Sequence, residues 1–346
     1  MKPISERVTS VVEVRHVLVT LSADNHARTI LDETLGDVAS VAFLEDIAPA
    51  RRGAELERAD ALLAWVIGSE LSDADWAAVA SRDRTDSRPL LIQLLSAGVD
   101  HVPFARVPQG IAVAGNVGGW AEPMAEHVLA MTLALAKRLL IEQEQLRSGA
   151  FNEAIPTREL RGGTCAILGF GGVGRAVASL VSPLGMRVFA LNSSGTTTVP
   201  VDFIGTLDDI EHVLRAADVV VISLPLTVGT RGLIGSRELG WMRPEAILVN
   251  VARGPIVDEA ALYRHLRQHP AFSAGLDVWW DEPFPGDRLR LAHPFLELPN
   301  VLGSPHNSGS VHGWFELGLR RAAENVRRYL LGEPLVGTVR RADYME

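Results

Sequence analysis

Three polar side chains of this 346-residue sequence follow three successive apolar runs that are typical of buried strands. Arg253 comes after AILVNVA, Glu282 lies in the turn after AGLDVW, and His306 follows NVLGSP. The carboxyl ends of parallel strands meet at one edge of a sheet, where ligands bind. A guanidinium there can hold a carboxylate with two hydrogen bonds, and an imidazole beside a carboxylate can transfer a proton near neutral pH. We therefore expect these three side chains to act together on a small acid.

A glycine motif precedes these strands and predicts the cofactor. ILGFGGVGRAVASLV carries Gly169, Gly171 and Gly174 in a G-x-G-x-x-G pattern, with an apolar strand before it and a helical segment after it. In that context the motif binds a dinucleotide, because the glycines allow a tight turn, close backbone approach to the pyrophosphate and close helix packing. The helix then presents free N–H groups to the phosphates. Together with Arg, Glu and His, this motif suits hydride transfer between a nicotinamide cofactor and a 2-keto acid.

The turn VFALNSSG (188–195) bears on which nicotinamide cofactor is used. About twenty residues beyond the second glycine, a dinucleotide site carries the residue that contacts the adenosine ribose, and here that residue is Asn192. A neutral amide does not repel a 2′-phosphate, and Ser193, Ser194 and Thr196 can donate hydrogen bonds to one. No Lys or Arg occurs from 188 to 200. We expect weak discrimination between NAD(H) and NADP(H), with a slight preference for NADP(H).

Two series of apolar runs separated by helical patterns predict an α/β protein with parallel sheets. The first series has four candidate strands, after which a glycine-rich stretch (110–123) leads to a long helix from Pro123 to Leu146. The second series has six, and an amphipathic helix follows from about Trp314 to Leu331. The candidate strands are 16–21, 38–44, 61–67, 89–95, 164–171, 187–192, 219–225, 246–252, 274–279 and 300–305. We expect two Rossmann-like, doubly wound domains.

Composition excludes several classes of function. Apolar residues make up 47% of the chain, and 33 basic residues against 42 acidic ones give a net charge of −9, which argues against a nucleic-acid partner. The single cysteine, Cys165, lies in an apolar run and is expected to be a buried small hydrophobe. The polar N-terminus and the absence of a long apolar run argue against a signal peptide or a membrane span, so we expect a soluble cytoplasmic protein. His306 and His312 match no compact ligand spacing, and no metal site is predicted.

The ordered motifs resemble those of the D-isomer-specific 2-hydroxyacid dehydrogenases, the family of phosphoglycerate dehydrogenase, glyoxylate/hydroxypyruvate reductase and formate dehydrogenase. The matching stretches are SAGVDHV, AEHVLAMTLALAKR, GFGGVGRAVA, VVVISLPLTVGTRGLIG, MRPEAILVNVARGPIVDEAAL, GLDVWWDEP and SPHNSG. They cover residues from about 90 to 331, and the N-terminus resembles the family only weakly. The resemblance implies an NAD(P)-dependent dehydrogenase that acts on CH–OH donors, in the manner of a glyoxylate or hydroxypyruvate reductase.

The resemblance also implies roles for individual residues. Arg253, Glu282 and His306 form the catalytic triad. Backbone groups at Ala97 and Gly98 receive the substrate carboxylate, together with Arg253 and His306. Asp277 bonds the nicotinamide carboxamide, which accounts for a costly acid within a strand pattern. The implied cofactor contacts are Gly169, Gly171, Gly172, Val173, Gly174, Asn192, Ser193, Ser194, Leu224, Pro225, Thr230, Val251, Ala252, Arg253, Asp277 and His306.

The family's architecture implies a discontinuous substrate domain into which the cofactor domain is inserted. We expect residues 1–119 and 305–346 to form the flavodoxin-like substrate domain, and residues 120–304 to form the NAD(P)-binding Rossmann domain. The family is usually homodimeric and pairs through the cofactor domain, a role that the helix from Pro123 suits.

Alternatives and departures from the family pattern stay open at this point. Formate dehydrogenases carry Gln where this chain has Glu282, which disfavours formate oxidation; oxidation of a related anion such as phosphite is an alternative. A second alternative is a cofactor-sensing interaction protein, since transcriptional corepressors of this fold keep the triad. Gly172 stands where many members have Arg or Lys, and Trp279 and Trp280 double the aromatic before the turn, either to shape a pocket or to support the fold.

Overall fold

The computed structural model describes residues 14–81, 89–283 and 287–345, which divide into two compact units. Within those residues, the first unit takes the segments up to 96, 101–116 and 318–339. The second unit takes 97–100, 117–317 and the segment from 340 onward. The first unit is therefore discontinuous in the chain. The boundaries expected from the sequence, at 119/120 and 304/305, stay a prediction.

The first unit is built on a five-stranded parallel sheet in the order β2-β1-β3-β4-β5. This is the strand order of flavodoxin-like domains. Its strands are β1 (Arg15–Val19), β2 (Ala39–Phe43), β3 (Ala61–Ala64), β4 (Leu91–Leu94) and β5 (Ala112–Ala114). Its helices are α1 (Asn25–Leu35), α2 (Pro49–Arg58), α3 (Ile67–Glu70), α4 (Asp73–Ser81) and most of α11 (Trp314–Leu330).

The second unit is built on a seven-stranded parallel sheet in the order β12-β11-β10-β9-β6-β7-β8. Its strands are β6 (Thr164–Leu168), β7 (Arg187–Leu191), β8 (Phe203–Gly205), β9 (Val219–Ile222), β10 (Ile247–Asn250), β11 (Ser273–Leu276) and β12 (Val301–Gly303). Its helices are α5 (Ala121–Ala136), α6 (Leu139–Arg147), α7 (Gly172–Val181), α8 (Ile210–Ala216), α9 (Ser236–Trp241) and α10 (Glu259–Gln268). The order is that of a dinucleotide-binding sheet with one more strand at an edge. The expected pair of Rossmann-like, doubly wound sheets is confirmed.

Apolar residues on both faces of the seven-stranded sheet explain why helices cover both faces. One cluster joins strand residues to α8, α9 and α10 through side chains such as Val213, Leu239 and Leu262. The other joins them to α5 and α7 through side chains such as Val128 and Val177. Each fully buried Val or Leu contributes roughly 1.5–3 kcal/mol relative to an exposed one. The continuous apolar runs of the sequence are therefore central strands that are buried on both sides.

Three expectations about elements were wrong in detail. The expected helix from 123 to 146 is two helices, because α5 ends at Ala136 and Arg138 adopts a left-handed backbone with φ 54° before α6. The Lys137 ammonium donates to the Arg158 carbonyl oxygen at 2.6 Å, which anchors this break. The strands β5 and β8 were missed because each has three residues, too few for a periodic signal, and each lies at the edge of its sheet.

Strand ends were also placed too late in the sequence, by up to three residues at the carboxyl side. The chain leaves the sheet at Leu168, Ile222 and Asn250, and the apolar residues that follow form loops at the carboxyl edge. Among the described residues, none of the helices combines the length and the apolar character needed to cross a membrane.

Candidate active site

The glycine turn after β6 has the geometry of a phosphate-binding loop. Gly169 has φ +105°, and a Cβ there would lie 2.6 Å from the backbone of Ser223. A Cβ at Gly174 would lie 2.3 Å from the Gly169 carbonyl oxygen, so α7 packs directly on the turn. A Cβ at Gly171 would meet nothing within 4 Å. The turn is thus tight at its first and third glycines and open to a ligand at the second.

The N-terminus of α7 faces the same open space without a side-chain cap. Gly171 is the N-cap residue, and within the described part of the chain no side-chain hydrogen bond caps the helix there. Such groups favour an anion, because the helix dipole adds about half a positive charge there. A Cβ at Gly172 would lie 2.6 Å from the Gly118 Cα. At this position, where the resemblance implies a cation in many family members, the backbone instead lies against Gly118. The half-buried Val173 is the next residue.

The side chain of Asn192 closes its own turn. Its Oδ1 accepts from the Ser194 amide at 3.1 Å, the Ser194 hydroxyl at 3.2 Å and the Gly195 amide at 2.7 Å. Its Nδ2 donates to the Thr196 carbonyl oxygen at 2.8 Å. This network occupies the amide oxygen, so a ligand beside the turn meets the exposed Ser193 and Ser194 rather than a free Asn192 acceptor.

The loop after β9 is fixed by a threonine. The Thr230 hydroxyl is buried, donates to the Pro225 carbonyl oxygen at 2.6 Å and accepts from the Thr227 amide at 2.8 Å. Leu224 is half-buried and Pro225 is exposed. The structure therefore places Leu224 and Pro225 at the surface of the second unit and uses the Thr230 hydroxyl inside the loop.

Arg253 is positioned by the turn that ends β10. Asn250 is buried, its Oδ1 accepts from the Ala252 amide at 3.0 Å and its Nδ2 donates to the Arg253 carbonyl oxygen at 2.9 Å. These bonds shape the segment from the buried Val251 to Arg253. A Cβ at Gly98 would lie 2.2 Å from Arg253 Nη2. The guanidinium therefore lies against the Gly98 backbone, next to the exposed Ala97.

Glu282 and His306 form a direct pair. His306 Nδ1 lies 2.6 Å from Glu282 Oε2, and the other carboxylate oxygen accepts from the Trp279 amide at 2.9 Å. Burial alone would raise the pKa of the Glu282 carboxyl, but the bonds from His306 and Trp279 and the charge of Arg253 hold that pKa below its ordinary value. The imidazole is 42% exposed, so its other nitrogen is accessible to a substrate.

The loop that carries His306 is built on Asp277. His306 has φ 51°, rare for a residue with a side chain, and its amide donates to the Asp277 carbonyl oxygen at 2.7 Å. The Asp277 carboxylate is 0% exposed and accepts from the Ser304 hydroxyl at 2.5 Å and from the amides of Asn307 and Ser308 at 3.0 and 3.1 Å. Asp277 thus holds the histidine loop, and its expected contact with the nicotinamide carboxamide stays a prediction.

Both tryptophans of GLDVWWDEP support the fold. The Trp279 indole is buried and donates to the Ser304 carbonyl oxygen at 3.0 Å. The Trp280 indole donates to the Val257 carbonyl oxygen at 2.6 Å and stacks on Phe295 with ring centroids 5.0 Å apart. Of the two roles left open by the sequence, the contacts favour the structural one for each.

Sequence reasoning missed two residues near Arg253. The Asp100 carboxylate accepts from Arg253 Nε at 3.2 and 3.3 Å. It belongs to the stretch SAGVDHV, so an acid two residues beyond Gly98 was the available signal. Tyr344 lies within electrostatic range of both Asp100 and Arg253, and burial together with nearby acids raises its pKa to about 12. No local signal in the sequence points to Tyr344. Among the described residues, no three His, Cys, Asp or Glu side chains gather as metal ligands.

Comparison with known proteins identifies the family. A family model described as "D-isomer specific 2-hydroxyacid dehydrogenase, NAD binding domain" matches residues 129–308. Glycerate dehydrogenase of Methylorubrum extorquens is 32% identical over 253 residues, which cover 70% of this chain and 77% of that protein. Glyoxylate reductase of Aeropyrum pernix is 34% identical over 255 residues, 70% of this chain and 74% of that protein. The chain therefore belongs to the D-isomer-specific 2-hydroxyacid dehydrogenases, NAD(P)-dependent oxidoreductases of small 2-hydroxy and 2-keto acids.

A solved structure extends the likeness over most of the chain. It is a D-isomer specific 2-hydroxyacid dehydrogenase from Xanthobacter autotrophicus in complex with NADPH and MES, with a TM-score of 0.73 and 26% sequence identity. The match covers 95% of this chain and 99% of that one. It includes the N-terminal part, where the sequence motifs are weakest.

Proposed function

We propose that this protein reduces a small 2-keto acid of the glyoxylate or hydroxypyruvate type. The observation that carries the proposal is the 2.6 Å contact between His306 and Glu282, in the same unit as an Arg253 guanidinium that lies against Gly98. Relatives named glyoxylate reductase, hydroxypyruvate reductase and glycerate dehydrogenase support this substrate class. The second unit would be the cofactor domain and the first the substrate domain.

Each residue of the proposed triad has a separate task. A nicotinamide cofactor, when bound, would be the source of the hydride for the carbonyl carbon. Arg253, with backbone groups at Ala97 and Gly98, binds the substrate carboxylate and polarises the carbonyl. Glu282 holds Nδ1 of His306, so Nε2 gives its proton to the carbonyl oxygen as that oxygen becomes a hydroxyl. The ionised Glu282 stabilises the imidazolium before this transfer and fixes the ring's orientation.

The glycine turn and the uncapped N-terminus of α7 fit a cofactor pyrophosphate. The open space at Gly171 admits a ligand against the backbone, and the free N–H groups of α7 face it. Leu224 and Pro225 would contact the adenine side, and Val251 and Ala252 the nicotinamide side. These assignments rest on the resemblance to the family.

A substrate screen with a histidine variant tests the proposal. We expect NAD(P)H oxidation with glyoxylate, hydroxypyruvate or pyruvate, and a loss of about 10²- to 10⁴-fold in kcat for His306→Ala, the usual contribution of a general acid. Cofactor binding by fluorescence should persist in that variant. His312→Ala, at an exposed histidine six residues further on, is the matched control. Wild-type turnover in His306→Ala would refute the proposed acid.

For the cofactor, the proposed preference is slight and favours NADP(H). Asn192 is neutral and does not repel a 2′-phosphate, while the exposed hydroxyls of Ser193 and Ser194 lie in the same turn. The related Xanthobacter autotrophicus enzyme was solved with NADPH. The absence of Lys and Arg from 188 to 200 limits the preference. A hundredfold higher kcat/KM with NADH than with NADPH would contradict it.

The proposed oligomer is a homodimer that pairs through the cofactor unit. The helix α6 (Leu139–Arg147) has no buried residue, and Leu139, Leu140 and Leu146 are each at least half exposed. Phe151, just beyond the helix, is 80% exposed. Such an apolar patch is typical of an interface. Light scattering should give twice the 37.4 kDa chain mass, and Leu140→Glu should lower it; a monomeric wild type at micromolar concentration would contradict the proposal.

A further inference from the structure

We propose that Asp100 is a positioning residue that fixes the orientation of the Arg253 guanidinium for the substrate carboxylate. This inference rests on the proposed function of Arg253. Asp100 belongs neither to the triad nor to the cofactor motif. The structural basis is that Nε is paired with Asp100 and Nη1 with a backbone carbonyl oxygen, which leaves a defined set of N–H groups for the substrate.

The guanidinium is held at three places. Arg253 Nε donates to both oxygens of Asp100, at 3.2 and 3.3 Å. Nη1 donates to the Ala252 carbonyl oxygen at 2.8 Å. Nη2 lies where a side chain at Gly98 would begin, 2.2 Å from the position of a Cβ. Because the guanidinium is planar and rigid, these contacts fix its plane as well as its position.

The donors that remain define how a carboxylate can bind. A guanidinium has five N–H groups, and in the described structure Asp100 and Ala252 engage Nε and one N–H of Nη1. The two N–H groups of Nη2 and the second of Nη1 remain for the substrate. Without Asp100, the Nε edge would be a competing carboxylate site, and a keto acid bound there would hold its carbonyl away from His306. Asp100 therefore excludes an unproductive orientation.

The C-terminal segment supports the pair from another side. The Asp343 carbonyl oxygen accepts from the Val228 amide at 2.9 Å, which attaches this segment to the cofactor unit. Tyr344 is half-buried and lies within electrostatic range of Asp100 and Arg253. Its phenol stays protonated below about pH 12, so it adds no negative charge beside Arg253 under assay conditions. Tyr344 therefore leaves the charge balance of the ion pair unchanged.

Kinetics of Asp100 variants test the inference. Asp100→Ala should lower kcat for the preferred keto acid by about 10- to 100-fold, since a misplacement near 1 Å costs about that much. KM should stay the same or fall, because the unpaired guanidinium still attracts carboxylates. Asp100→Asn keeps an oxygen that can accept from Nε and should lose less. Glu211→Gln, which removes the carboxylate of the exposed Glu211–Arg215 pair on α8, is the matched control.

Two further measurements separate the possible outcomes. In an Arg253→Ala background, Asp100→Ala should cause no additional loss of kcat, because the two residues act as one unit. Oxamate, an unreactive keto-acid analogue, should bind Asp100→Ala with cofactor at least as tightly as it binds wild type. Unchanged kcat in Asp100→Ala, an additive loss in the double variant, or tenfold weaker oxamate binding would each overturn the positioning role.

Failure of the proposed function gives a different result. If the wild type turns over no keto acid, the reductase assignment is wrong, and oxamate binding still tests Asp100. Asp100→Ala could lose cofactor binding and melt at a lower temperature than wild type. In that case Asp100→Asn is the deciding variant. A kcat about 3- to 10-fold below that of wild type, at an unchanged melting temperature, supports the positioning role. Wild-type kcat in Asp100→Asn, together with an unstable alanine variant, would make Asp100 a structural residue.

Discussion

Alanine substitutions at Gly171 and Gly174 separate folding from cofactor binding within a single turn. A Cβ at position 174 would lie 2.3 Å from the Gly169 carbonyl oxygen, whereas real Cβ contacts are essentially never under 3.0 Å. The helix α7 would have to move off the turn. Such overpacking costs about 1–3 kcal/mol, and the better helix propensity of alanine returns at most about 1 kcal/mol. We expect Gly174→Ala to destabilise the unit by about 1–2 kcal/mol.

The matched substitution Gly171→Ala puts its methyl group into open space. The ligand-free protein should therefore melt within about 2 °C of wild type, while Gly174→Ala should melt about 2–8 °C lower, at 2–4 °C per kcal/mol for a unit of this size. Cofactor affinity should fall at least tenfold in Gly171→Ala, because its methyl group occupies the proposed pyrophosphate site. Differential scanning fluorimetry and NAD(P)H fluorescence titration measure the two effects. Equal melting shifts, or unchanged affinity in Gly171→Ala, would refute the reasoning.

Three other predictions concern single side chains. Because the Glu282 pKa lies below its ordinary value, the carboxyl is ionised at neutral pH. Glu282→Gln removes the charge that stabilises the imidazolium, so the alkaline limit of keto-acid reduction should move to lower pH. An unchanged pH–rate profile would contradict the pairing. Asn192→Asp should shift the NADH-to-NADPH ratio of kcat/KM towards NADH by at least about tenfold. The reason is that a carboxylate and a 2′-phosphate near 4 Å apart repel by roughly 1–4 kcal/mol. An unchanged ratio would mean that the 2′-phosphate binds elsewhere. Burial raises the pKa of Cys165 to about 12, so a thiol reagent should label it only after denaturation, and rapid labelling of the folded protein would contradict its burial.

Local signals in the sequence predicted the elements that depend on neighbouring residues. The G-x-G-x-x-G turn follows from short-range sterics, and so does the start of α10, where the N-cap residue Asp258 accepts from the Ala261 amide. The order of apolar runs predicted both sheets because each central strand is buried on two faces. The break at Arg138 was not predictable, since it is stabilised by a hydrogen bond from the neighbouring Lys137 to Arg158, 21 positions further along the chain.

Long-range pairing limited what the sequence could say about the site. The Asp100–Arg253 contact joins residues 153 positions apart, and nothing local to either marks the other as its partner. The residue type of Asn192 predicted a neutral contact with the ribose. The orientation of its side-chain amide, however, depends on the hydrogen bond that its oxygen accepts from the Gly195 amide. His306 and Glu282 could be paired in advance only because both follow adjacent strands of one sheet.

The contact between Gly172 and Gly118 restricts how this lineage could evolve a stronger hold on phosphate. Any side chain at position 172 would begin 2.6 Å from the Gly118 Cα. An arginine at this position would therefore require a change in the path of the segment around Gly118 as well. We expect a new cation to be tolerated more easily in the turn at 193–196, because a substitution there leaves the packing of α7 intact.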